Sequence, residues 1–156
     1  MVVFDCNIYL DAARILGEPF GWDKLWRVVD DLMSVPVPHP RDEAFDSLRA
    51  LRAAYAGKRG DDVQEVWTSR HIDDMVQGVA GRPLPSGKAM GDSGLGWQAE
   101  SAEDLIEDLI LDLVDRTHGG VVDRNYPDGN PPLDHEDGMV FGACRALAGQ
   151  GGKDLR

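Results

Sequence analysis

Val2-Val3-Phe4 is a short apolar run that ends on Asp5-Cys6-Asn7, the pattern of a buried strand feeding straight into a helix. Asn7 is a favourable N-cap, and the segment from Ile8 to Leu16 stops at Gly17, a residue suited to the position just past a helix. Leu25, Trp26, Val29, Leu32 and Met33 predict a second helix over about 23–33. The prolines of Val35-Pro36-Val37-Pro38-His39-Pro40 exclude a helix and predict an extended connector. Ala44, Phe45, Leu48, Leu51 and Tyr55 recur at helical spacing and predict a third helix over about 42–55, followed by a turn at 57–60.

The rhythm then repeats. Val63, Val66 and Trp67 predict a second strand over 63–68, and Ser69 caps a short helix that runs to about Val79. Residues 81–98 carry Gly81, Gly87, Gly91, Gly94 and Gly96 and read as a Gly-rich loop or lid. Ser101-Ala102-Glu103-Asp104 has the form of a capping box. Behind it Leu105, Ile106, Leu109, Ile110, Leu113 and Val114 make one apolar stripe, ended by Gly119-Gly120. Val121-Val122 predicts a short third strand, 126–133 a loop, and Asp134 the cap of a last helix through Met139, Val140, Phe141 and Leu147 to Gly149. Strands alternating with helices predict an α/β fold, a parallel sheet flanked by helices. The expected organisation is a single domain over 1–149 with a flexible tail at 150–156.

Composition narrows the class. No apolar run approaches the roughly 20 residues of a membrane helix, and the start has no basic segment followed by a long apolar stretch, so neither a membrane protein nor a signal peptide is expected. Cys6 and Cys144 are too few for a disulfide framework and read as buried thiols of a cytoplasmic protein. The formal charge of −12 argues against a surface that grips nucleic acid all over, or a polybasic membrane binder. Its placement changes that picture. Residues 99–137 hold twelve acids against Arg116 and Arg124, whereas 48–60 hold Arg49, Arg52, Lys58 and Arg59 with no acid. The acidic stretch reads first as a solvated helix face, and the basic stretch as either a solvated face or a patch for phosphates.

Three acid groups stand at predicted helix starts: Asp5, the pair Asp73-Asp74, and Asp134 with Asp137. In a parallel sheet, ligands gather at the carboxyl ends of the strands, where Asp5 falls. Carboxylate oxygens brought to one point suit Mg²⁺ or Mn²⁺, which orient water and neutralise charge on a phosphodiester. No Cys/His spacing supports zinc, and neither a phosphate-cradling glycine loop nor a nucleophile elbow is present.

Val2-Val3-Phe4-Asp5-Cys6-Asn7-Ile8-Tyr9-Leu10-Asp11, Val66-Trp67-Thr68-Ser69-Arg70-His71-Ile72 and Pro132-Leu133-Asp134-His135-Glu136-Asp137-Gly138-Met139 follow one another in the order of three motifs of the PIN-domain ribonucleases, and the chain resembles that family. The resemblance implies a PIN-like three-layer α/β/α domain that binds one or two Mg²⁺ or Mn²⁺ ions and cleaves single-stranded RNA by activated water. It implies Asp5 and Asp137 as principal ligands, with Asp74 and Asp134 supporting them, and Asn7 orienting Asp5 or the water. Arg49, Arg52, Lys58 and Arg59 would hold the RNA backbone. Many relatives are toxins of bacterial toxin–antitoxin pairs and many are homodimers, so an antitoxin or second copy is an implied partner. The family's usual Glu, six residues after Ser69, is replaced by Met75, which leaves Asp74 and Asp73 open as its substitute. The family's last strand and fourth acid have no counterpart before Arg156, so a shortened PIN domain with an exposed sheet edge is expected. Two rival readings are a catalytically degenerate PIN-like protein acting by protein or RNA binding, and a metal-dependent phosphohydrolase of small molecules.

Overall fold

The structure, a computed structural model, describes residues 1–34, 43–57, 64–84 and 94–122, together with 139, 140, 142, 144, 145 and 147–149. Strand β1 (Val2–Val3) runs directly into helix α1 (Cys6–Leu16), and α2 (Trp22–Met33) and α3 (Glu43–Tyr55) follow. Strand β2 (Val66–Ser69) leads without a break into α4 (Arg70–Gly81). A long helix is built of α5 (Ala99–Leu105), a π-helical stretch at Ile106–Leu111, and α6 (Asp112–Arg116), and β3 (Gly120–Val122) comes after it. The described residues between 139 and 149 are helical.

The expected α/β architecture with parallel strands is present. The sheet has the order β1-β2-β3 and both pairings are parallel, with Val2 opposite Val66, Val3 opposite Trp67 and Ser69 opposite Val122. Parallel neighbours need crossovers, and α1–α3 and α4–α6 supply them. Helix α1 packs on α3 and α4, and α6 packs on β2 and β3. The core joins Tyr9, Leu10, Ala12 and Ala13 of α1 to Leu25, Leu48, Leu51, Val66, Ile72 and Val76. All six residues of the predicted stripe, Leu105, Ile106, Leu109, Ile110, Leu113 and Val114, are buried in it.

Several boundaries differ from the sequence expectation. The cap of α1 is Asp5, not Asn7: its carboxylate accepts from the Cys6 amide, so the helix starts two residues earlier. The Ser101 capping box is not used. Helix α5 begins at Ala99, because Glu18 accepts the Gln98 amide from outside and the Gln98 carbonyl already takes the Ala102 amide. Gly81 belongs to α4 rather than to the loop after it. The widened turn at Ile106–Leu111 leaves the Asp108 carbonyl to accept from the Trp22 indole at 2.8 Å. Cys6 and Cys144 are free and partly buried. Among the described residues no helix is long and apolar enough to cross a membrane. The expected connector at 35–40, most of the Gly-rich loop, the 126–133 loop and the tail from 150 lie outside the described residues.

Candidate functional site at the carboxyl edge of the sheet

Because β1 and β2 are parallel neighbours, α1 and α4 both start at the same edge of the sheet. Counting on in register from Val3 and Trp67, Asp5 corresponds to Ser69, and these two residues are the N-caps of α1 and α4. Ser69 Oγ accepts the Ile72 amide, as the sequence predicts. Two helix N-termini at one edge make a region that favours negative charge.

Asp5 is exposed there. Its Oδ1 accepts the Cys6 amide at 2.7 Å and its Oδ2 accepts from Asn7 Nδ2 at 3.0 Å. The Asn7 amide thus bonds to the Asp5 carboxylate through the oxygen that the Cys6 amide leaves free. Each carboxylate oxygen keeps a further lone pair for a cation.

The two candidates for the second acid differ in side-chain direction. Asp73, in the first turn of α4, turns back to β2, where the buried Thr68 hydroxyl donates to its Oδ1 at 2.8 Å. Burial pushes the Asp73 carboxyl up to about 6; the Thr68 hydrogen bond works against this and the Asp74 charge adds to it. Asp74 is exposed and lines a shallow cavity of about 330 Å³ with Gln77, Gly78, Gly81, Ala99 and Ala102, between α4 and α5. Of the two residues left open by the sequence, Asp73 is the one tied to the end of β2.

Tyr9 stands one helical turn past Asp5 and is fully buried, with its ring edge-on to Phe4 at 6.0 Å. Its hydroxyl has no hydrogen-bond partner among the described residues. Sequence reasoning missed both Tyr9 and Thr68. The available signal was a phenol at an otherwise aliphatic core position of α1.

The other candidates are placed as follows. Arg52 bridges α3 to α2, pairing with Asp30 at 2.6 Å and lying over the Trp26 ring at 4.3 Å. Arg49 is exposed, pairs with Asp46 at 3.6 Å, and lines a cavity of about 440 Å³ beside Val2 and Phe4. Asp134, Asp137, Lys58 and Arg59 lie outside the described residues. Among the described residues no group of three or more His, Cys, Asp or Glu side chains is placed to hold a metal ion. Asp5 and Asp73 offer carboxylate oxygens, donors of the kind that suit a hard cation better than a soft one. Comparison with family models, with curated proteins and with solved structures finds no match to this chain.

Proposed function

We propose that the chain is a Mg²⁺- or Mn²⁺-dependent endoribonuclease of PIN-like architecture that cleaves single-stranded RNA. The observation that carries this reading is the placement of Asp5 at the end of β1 and of Asp73, bonded to Thr68, at the end of the adjacent parallel strand β2, in the order of the PIN motifs. Asp5 and Asp73 would hold the ion from the sheet side, and Asp137 and Asp134 would complete the set, with Asp74 next to it as a further negative charge. Such an ion supplies a nucleophilic water at neutral pH and neutralises charge on the phosphodiester. Asn7 keeps Asp5 oriented through its 3.0 Å bond, and Thr68 keeps Asp73 oriented through its own. Arg49 is the exposed cation of the proposed phosphate patch. Arg52 contributes through the α2–α3 packing that carries the patch, since its guanidinium is held by Asp30 and Trp26.

The test is cleavage of single-stranded RNA with Mn²⁺, with EDTA as control. Asp5→Asn is expected to abolish Mn²⁺-dependent cleavage, and full activity in that variant would overturn the assignment. Met75, at the place of the family's Glu, favours a second reading: a catalytically degenerate PIN-like protein acting by binding RNA or a protein such as an antitoxin. Absence of any Mn²⁺-induced rise in melting temperature would favour that reading, because a ligand bound only by the native state must stabilise it.

A further inference from the structure

A phenol inside a core is retained at a cost when its hydroxyl has no partner, and phenylalanine would fill the same space without it. Tyr9 is such a residue. It is 0% exposed, its ring rests against Phe4, and its hydroxyl is unpartnered among the described residues. Helix α1 packs on α4, whose first turn carries Asp73. Burial holds the Tyr9 phenol above its usual range, and the Asp73 carboxylate and the Cys6 thiol push the same way, so Asp73 lies within electrostatic reach of the hydroxyl. Asp73 is already held by a second buried hydroxyl, that of Thr68.

We propose that Thr68 and Tyr9 are positioning residues for Asp73, a hydroxyl from β2 and a hydroxyl from α1 that together aim its carboxylate at a divalent cation. The inference rests on the metal reading above. Thr68 fixes Oδ1. The Tyr9 hydroxyl, buried and unpartnered among the described residues where α1 packs on α4, is the second donor the proposal assigns to that carboxylate. A neutral hydroxyl donating to a charged carboxylate is among the stronger hydrogen bonds, and such outer partners tune the affinity of a ligand for its metal.

The experiment is a Mn²⁺ titration of the full chain at pH 7.5, followed both by free-Mn²⁺ electron paramagnetic resonance and by melting temperature. The variants are Thr68→Val, Thr68→Ser and Tyr9→Phe. Thr68→Val is expected to weaken Mn²⁺ binding about tenfold, with Thr68→Ser restoring it. Tyr9→Phe, nearly isosteric, is expected to weaken it several-fold while leaving the metal-free melting temperature unchanged or raised. A purely structural Tyr9 would leave Mn²⁺ binding unchanged in Tyr9→Phe, and that result would overturn its part in the proposal. Mn²⁺ binding as in wild type in both Thr68→Val and Tyr9→Phe overturns the positioning role while leaving the metal reading standing. A wild-type chain that does not bind Mn²⁺ overturns both.

Discussion

A carboxylate in the first turn of a helix is ordinarily favoured in its charged form by the helix N-terminus. Asp73 departs from this because burial outweighs both the helix end and the Thr68 hydrogen bond, raising its pKa from 3.8 to about 6. The Asp74 charge beside it pushes the same way as burial. Between about pH 4 and 6 the folded protein therefore keeps a proton that the unfolded chain has released. The contribution to stability is fully present below about pH 4 and is lost as pH rises through 6. Asp73→Asn removes that loss and keeps an oxygen for Thr68. In EDTA its melting temperature is expected to exceed that of wild type at pH 8 and to equal it at pH 4. Equal melts at pH 8 would show that the ionised carboxylate is not penalised. Asp5 separates two roles in the same way. Asparagine is as good an N-cap as aspartate, so Asp5→Asn should melt within a few tenths of a kcal/mol of wild type yet lose the Mn²⁺ shift. Asp5→Ala should lose the shift and also about 1 kcal/mol of stability with the cap.

The end of α6 shows how an element is closed. Thr117 is its C-cap, its hydroxyl accepting the Val66 amide of β2 at 2.9 Å and donating to the Leu113 carbonyl. The His118 amide bonds to the Asp115 carbonyl and the Gly119 amide to the Val114 carbonyl, the two bonds of a Schellman motif. The left-handed position falls on His118, at φ 58°, although glycine prefers it. His118→Gly is expected to stabilise the fold by about 1 kcal/mol in chemical denaturation. Gly119→Ala should destabilise by about 1–3 kcal/mol or more, because a β-carbon there would overlap the Val66 carbonyl oxygen. The sequence pattern makes Gly119-Gly120 a plausible helix stop, and the helix does end beside it, but the glycines serve close approach to β2, which no local pattern reveals. The same division runs through the site. A strand–Asp–helix junction is local, so Asp5 was legible. The choice between Asp73 and Asp74 was not: consecutive helical residues differ by about 100°, and packing against β2 decides which one faces Thr68. Asn7 and Ser101 are good caps in isolation. They lost the position because Asp5 already accepts the Cys6 amide and Glu18 the Gln98 amide. Tyr9 and Thr68 acquire meaning only from how α1, β2 and α4 come together.

At the scale of the molecule, the charge of −12 is concentrated rather than spread. Along the long helix Glu100, Glu103, Asp104, Glu107, Asp108 and Asp115 are exposed, and Arg116 is the one cation in 99–116. Its guanidinium is shared between Asp112, at 3.8 Å, and the face of Tyr55, at 4.0 Å. Like charges three or four residues apart, such as Glu100 with Asp104 and Glu103 with Glu107, each cost about 0.2–0.5 kcal/mol. Among the described residues, the ion pairs Arg14–Asp11, Arg49–Asp46 and Arg52–Asp30 each include at least one exposed partner, and such pairs are worth at most about 1 kcal/mol. Salt screens both kinds of interaction, over a Debye length that falls from about 30 Å at 0.01 M to about 8 Å at 0.15 M. Where net charge is this one-sided, self-repulsion is the larger quantity to be relieved. The melting temperature is therefore expected to rise by roughly 2–4 °C between 0.01 and 0.15 M NaCl, the response to about 1 kcal/mol in a domain of this size. Replacing Glu103 and Glu107 with glutamine should raise the low-salt melt and flatten the salt dependence. A melting temperature that falls with salt would mean that ion pairing outweighs the acidic helix, and that its carboxylates are held by attraction rather than merely tolerated.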